Sequence, residues 1–186
     1  MQTQAKYRSM ELPIPGPQTC GDAFDRIVSE HHNSVRRLVF RILGWRDGGD
    51  EVVQEVFLSA WAARSRLAKV ARADLWLKRI AVNKCRSRLR REAVRTRWLG
   101  WLRASAPEEP HLAPDDPLVT EERASQVRRA IQSLSPRYRE AMVLYYLEEM
   151  SVAEIAQIVG ARPNAVEVRL HRARRRLEPL LADLAD

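Results

Sequence analysis

Between residues 163 and 177 the chain spaces Asn164, Glu167, Val168, His171, Arg172 and Arg175 so that one side of a helix would carry them. Amide, carboxylate, imidazole and guanidinium groups in such a row can hydrogen-bond to base edges in a DNA major groove. Arg169, Arg174 and Arg176 flank them and suit phosphate oxygens on either side. Val166, Leu170, Ala173 and Leu177 recur at i, i+4, i+7 and i+11, so the same helix turns an apolar stripe inward. The chemistry on offer is recognition, not bond making.

Such a helix needs a partner to hold it. Ser151 and Glu154 have the three-residue spacing of a capping box, and Val152, Ile155, Ala156 and Val159 follow as an apolar face. Gly160 stands where that helix needs a left-handed stop, and Pro163 where the next can begin. Helix, short turn and helix over residues 151–177 is the spacing of a DNA-binding helix-turn-helix. An ordinary helical hairpin with a solvated basic face is the plainer alternative. The capping box, glycine and proline in register favour DNA.

Composition narrows the class. Of 186 residues 30% are charged and 6% aromatic, with seven glycines, which fits an all-α protein. A formal net charge of +8 calls for an acidic polymer as partner. Cys20 and Cys85 stand alone, without a CxxC pair or a histidine cluster, so neither a metal site nor a disulfide framework is expected. Two free thiols suit a reducing cytoplasm. No apolar run follows Lys6 and Arg8, and no stretch has the length of a membrane span, so the expected location is cytoplasmic. Neither a nucleophile–base pair nor a glycine-rich phosphate loop is visible. An enzyme is not expected, nor a cofactor, and Cys85 reads as a small packing residue.

Four segments follow from the patterning. Residues 1–20, with Pro13, Pro15, Gly16 and Pro17, read as a flexible arm. A first helical domain spans 21–104. In it an amphipathic helix runs from Asp22 to near Gly44, with His31 and His32 at surface or boundary positions. A second helix, DEVVQEVFLSAWAAR, buries Val53, Val56, Phe57, Ala60 and Trp61. It carries Asp50, Glu51, Gln54 and Glu55 in its first turns, as an interaction patch or as complement to the helix dipole. A loop near 68–73 leads into a long basic helix. Leu75, Trp76, Ile80 and Leu89 are expected inside it, and Lys78, Arg79, Lys84, Arg86, Arg88, Arg90 and Arg91 outside, facing phosphate. Trp98 and Trp101 share a face and are expected to pack, with part of an inhibitor interface as the alternative. Residues 105–120, with four prolines and four acids, form a flexible acidic linker. A second domain, 121–186, opens with helices over 121–133 and from Pro136 through Leu147.

Taken in order, these pieces resemble a known family. DEVVQEVFLSAW is similar to region 2.2 of bacterial RNA polymerase sigma factors of the extracytoplasmic function group. WLKRIAVNKCRSRLRR resembles regions 2.3–2.4, and LSPRYREAMVLYYLEEMSVAEIAQIVG with VRLHRARRRL resembles region 4. The resemblance covers about residues 22–182. It implies sigma domains 2 and 4, and an alternative sigma factor that binds core RNA polymerase and directs promoter-specific initiation. Asp50, Glu51, Gln54 and Glu55 would dock on the clamp helices of the largest subunit, and domain 4 on the flap. Lys69, Arg72, Arg79, Asn83, Lys84, Arg86 and Arg90 would read the −10 element as single strand, with one base flipped out of the stack. Asn164, Glu167, Val168, Arg169, His171, Arg172 and Arg175 would read the −35 element as duplex. An anti-sigma factor, expected at the membrane, would hold the protein off. Ser87 stands where the family usually has Asp, Ala73 where an aromatic is common, and Ala165-Val166-Glu167-Val168 where Thr-Val-Lys-Ser is frequent. Glu167 would accept from a cytosine amino group or pair with a nearby arginine.

Overall fold

In a computed structural model of the chain, residues 17–44, 48–67, 72–100 and 121–182 are described. All regular structure among them is helical. The first half holds α1 (Pro17–Leu43), α2 (Gly49–Ala62), a single turn α3 (Arg64–Leu67) and α4 (Ala73–Gly100). The second holds α5 (Glu121–Ser133), α6 (Pro136–Met142), α7 (Val152–Val159) and α8 (Pro163–Leu181). Helix α1 starts at Pro17, so it reaches into the segment read as an arm. The acidic linker, Lys69 and Trp101 lie outside the described residues.

Three amphipathic helices build the first half. Val35, Leu38, Val39 and Ile42 of α1 recur at helical spacing and are buried against α2 and α4. Gly49 opens α2 directly under the Phe40 ring, where a Cβ would sit 2.5 Å from Cε1. That approach fixes where the acidic first turn of α2 emerges. Val52, Val53, Val56 and Ala60 then point inward, and Phe57 is half-buried. Trp61, expected in the stripe, is 41% exposed. Its ring meets Phe24 edge-on at 5.1 Å, and Arg64 lies over it at 4.4 Å.

Helix α4 corrects the expected stripe. Leu77, Ala81, Val82 and Cys85 line its fully buried face, whereas Leu75, Trp76, Ile80 and Leu89 flank that face and are only partly covered. In a helix this rich in arginine, the small residues Ala81 and Cys85 carry little hydrophobic signal, although both are fully buried. Trp98 is corrected as well: it is 74% exposed and does not pack.

In the second half α6 does not run through as one α-helix. Residues Val143–Leu147 form a π-helical turn, closed by the Glu148 amide donating to the Val143 carbonyl at 3.1 Å. Helices α5, α6 and α7 pack on α8 around Ile131, Leu144, Ile155, Val166 and Leu170. The two halves also pack on each other, mainly through α4 against α7, with α1 and α4 also meeting α6 and α1 meeting the π-helical turn, giving one continuous core.

Candidate nucleic-acid interface

The helix-turn-helix forms as its local signals dictate. The Ser151 hydroxyl accepts from the Glu154 amide at 3.3 Å, and the Glu154 carboxylate accepts from the Ser151 amide at 3.0 Å. The Ser151 amide, and the Ser151 hydroxyl donating to the same carboxylate at 2.8 Å, hold the Glu154 carboxyl below the usual glutamate range, with Arg72 adding to the effect. Gly160 closes α7 at φ 65, a left-handed conformation that favours glycine. Pro163 opens α8, with the Arg162 carbonyl accepting from Ala165 and Val166.

Val166, Leu170, Ala173 and Leu177 are all buried, as their spacing requires. The opposite side presents Asn164, Glu167, Val168, His171, Arg172 and Arg175 to solvent, with Arg169 half-buried at the edge. All seven predicted positions therefore share one accessible surface or its margin. Arg174 and Arg176 lean back instead. Arg174 donates to the Tyr146 hydroxyl at 2.7 Å, and Arg176 lies 4.9 Å above the Tyr138 ring.

The basic helix α4 divides its predicted residues. Arg79, Asn83 and Arg90 are exposed at i, i+4 and i+11, one stripe along the helix. Ser87, Arg90, Arg91 and Val94 line an open groove beside it. Arg72 precedes the helix and makes a two-pronged pair with Asp74, at 3.0 and 2.8 Å. The Arg72 guanidinium keeps the Asp74 carboxyl below its usual range, and Asp74 in turn raises Arg72. Lys84 reaches Glu55 at 3.4 Å. Arg86, read as outward-facing, is largely covered: its guanidinium points into the second half and grips Glu140 at 2.7 Å. Lys78 and Arg88, also expected outside, are partly covered too, because Lys78 pairs with Glu148 and Arg88 with Glu92.

The acidic patch of α2 is one surface. Asp50, Glu51 and Gln54 are exposed and Glu55 is half-buried beside them. Arg36 lies 3.1 Å from Asp50, Arg88 3.2 Å from Glu51, and Arg91 3.8 Å from Glu55. Exposed pairs of this kind are worth roughly 0–1 kcal/mol each, so an incoming cationic surface can replace them at little cost. Cys85 is fully buried, and its thiol is pushed up to about 12, by burial first and by Glu140 second.

Sequence reasoning did not single out Glu140, Glu148 or Arg139. One signal was available: Arg139 and Glu140 immediately precede the apolar run Ala141–Leu144, where charges have no solvent face to occupy.

The sigma-70 region 2 family model matches residues 27–95, and the sigma-70 region 4 model matches residues 124–177. Curated relatives cover nearly the whole chain. The ECF RNA polymerase sigma factor SigM of Mycobacterium tuberculosis is 32% identical over 181 residues, 96% of this chain and 88% of its own. SigW of Bacillus subtilis is 29% identical, covering 88% of this chain and 91% of its own. The RNA polymerase sigma factor CarQ of Myxococcus xanthus is 32% identical, covering 88% and 91%. Among solved structures, CnrH in complex with the cytosolic domain of CnrY matches with TM-score 0.60 and 28% identity, over 89% of this chain and 94% of that one. The sigma factor RpoE with the anti-sigma factor NepR from Bartonella quintana matches in fold, with TM-score 0.69 at 22% identity, over 87% and 98%.

Proposed function

The chain belongs to the ECF RNA polymerase sigma factors of the sigma-70 family, and on that premise we propose how its surfaces divide the work of initiation. As a sigma factor it is a transcription initiation factor that directs core RNA polymerase to promoters. Residues 21–104 serve as domain 2 and residues 121–186 as domain 4, joined by the acidic linker 105–120. Residues 17–20, read as part of an arm, belong to α1.

Asp50, Glu51, Gln54 and Glu55 dock on the clamp helices of the polymerase, while domain 4 meets the flap. The exposed stripe Arg79, Asn83 and Arg90 tracks the non-template strand at the −10 element, with Lys69, Arg72, Lys84 and Arg86 joining it. Helix α8 enters the major groove of the −35 element with Asn164, Glu167, Val168, His171, Arg172 and Arg175, and Arg169 at its margin contacts phosphate. The protein is proposed to work in the cytoplasm, beside the polymerase it serves; no described helix is long and apolar enough to cross a membrane. The likeness to CnrH, solved in complex with the cytosolic domain of CnrY, supports a protein partner for this chain, and the partner proposed is an anti-sigma factor held at the membrane.

One observation carries this reading: an accessible base-reading face on α8 and an acidic face on α2 occur in one chain. The test is co-elution with core RNA polymerase, with Asp50→Lys/Glu55→Lys alongside. The parent is expected to bind and the doubly reversed variant to lose binding with its helix content intact. A folded parent that does not bind core enzyme refutes the reading. A variant that binds like the parent refutes the docking face.

A further inference from the structure

The reading helix carries one acid that nothing holds. Six arginines lie between residues 162 and 176, and Glu167 is the only carboxylate among them. It is exposed and, among the described residues, makes no hydrogen bond or ion pair. The exposed acids of α2 behave differently: Asp50 and Glu51 each have an arginine close by, at 3.1 and 3.2 Å. Helical register accounts for the contrast. Side chains three or four positions apart are neighbours on a helix, and from Glu167 those positions hold Pro163, Asn164, Leu170 and His171. None is an arginine or a lysine. Arg174, further along the same flank, is occupied by the Tyr146 hydroxyl at 2.7 Å. Of the two roles open to Glu167, pairing with a nearby arginine therefore drops out.

An unpaired carboxylate on a DNA-reading face repels phosphate, whatever the sequence of the duplex. Only a base edge that donates can offset that repulsion. The major groove offers two such groups, the N4 amino of cytosine and the N6 amino of adenine. Adenine sets the N7 lone pair beside its amino group, and a carboxylate, which only accepts, meets that edge badly. Cytosine has a C–H in the corresponding place. Glu167 is also well placed to reach a base, as the fifth residue of α8, in the part of a recognition helix that meets base edges. Asn164 and His171 stand about one turn to either side, both exposed.

We propose that Glu167 is a specificity-determining residue that selects one cytosine in the −35 element. It acts twice: it accepts from the amino group of the right base, and it weakens binding to every other duplex. The inference rests on the assignment of α8 to the −35 element above. It gives one substitution two effects of opposite sign, which neither a structural residue nor a phosphate contact would produce. Glu167→Gln loses discrimination and gains general affinity.

The test uses the full-length chain, with and without core polymerase. Holoenzyme carrying the parent or Glu167→Gln selects from promoter duplexes randomised across the −35 element, and the selected templates are sequenced. The parent is expected to enrich a C·G pair at one position by about tenfold or more, the discrimination of one good base contact. Glu167→Gln should lose that preference at that position alone, with any new preference going to adenine, whose edge an amide matches. Fluorescence anisotropy of the free chain on a labelled duplex of unrelated sequence gives the second readout. There the variant should bind several-fold more tightly at low salt, with a log–log salt slope steeper by up to about 0.9. Circular dichroism checks that its helix content matches the parent. An unchanged selection profile, a loss spread over all positions, or a variant that binds unrelated duplex no more tightly than the parent overturns the proposal. A parent holoenzyme that selects no −35 sequence at all overturns the α8 assignment beneath it, so the two failures are distinct.

Discussion

Leu170→Ala and Val168→Ala lie two positions apart on α8 and test its two faces against each other. Leu170 is 2% exposed, and Val168 is 41% exposed on the opposite side. Truncating Leu170 removes three carbons, at about 0.8 kcal/mol each, for roughly 2.4 kcal/mol of lost burial. The hole left among α6, α7 and α8 adds a cavity contribution, bringing the total to about 3–4 kcal/mol. With a urea dependence near 2 kcal/mol per molar, the midpoint should fall by ~1.5–2 M. Val168→Ala should cost no more than about 0.5 kcal/mol. Its effect should appear in DNA binding instead, where losing apolar contact with a thymine methyl weakens −35 duplex binding about fivefold. Urea unfolding followed by circular dichroism reads the first quantity, and fluorescence anisotropy with labelled duplex and polymerase holoenzyme the second. If Val168→Ala destabilises as much as Leu170→Ala, or Leu170→Ala stays within ~1 kcal/mol of the parent, α8 is rotated from the orientation described and its reading face is misassigned.

Cys85 should resist alkylation in the native chain at pH 8 in a Cys20→Ser background, because burial and Glu140 push its thiol up to about 12; rapid native labelling by iodoacetamide would contradict that burial. Asp74 and Glu154 meet at Arg72, and both carboxyls titrate below their ordinary values of 3.8 and 4.5 in the folded chain. A depressed folded value means that their stabilisation is fully present above the unfolded value and lost as pH falls through the folded one. Urea midpoints attributable to this cluster should therefore hold steady from pH 7 to about 5 and drop below about 4.5. Ser151→Ala should lower the plateau by about 1 kcal/mol and shrink the drop only in part, because the backbone amide at 151 still donates to Glu154; an unchanged pH profile in that variant would show that the Ser151 hydroxyl does not contribute to the Glu154 titration.

What could be read from sequence depended on how far apart the deciding residues lie. The Ser151–Glu154 box, Gly160 and Pro163 act within one helical turn, and the structure has each in its expected role. The 166, 170, 173, 177 stripe was equally legible, since periodicity alone decides which side faces in. Helix α4 was harder. Seven basic residues over Lys78–Arg91 cover more than one face, and Ala81 and Cys85 at the buried centre look unremarkable in a hydropathy pattern. Arg86 and Lys78 were assigned outward for the same reason. Their partners Glu140 and Glu148 are 54 and 70 residues away, and nothing local distinguishes a cation that meets phosphate from one that meets carboxylate. Trp98 shows the converse limit: a large aromatic at helical spacing suggested packing, yet no described segment of the fold comes to cover it.

The π-helical turn at Val143–Leu147 behaves like a one-residue insertion in an otherwise ordinary helix. An inserted residue rotates everything beyond it by about 100° relative to what precedes it. Glu140, before the turn, faces the first half, whereas Tyr145 and Tyr146, within it, face Arg174 on α8. One short helical segment thereby serves two surfaces, and the inserted residue sets the angle between them. Deleting a single residue from the turn would restore the uninterrupted helix and set its two ends at odds. Either the tyrosines would leave α8 or Glu140 would leave Arg86, so the widened turn lets both contacts form at once.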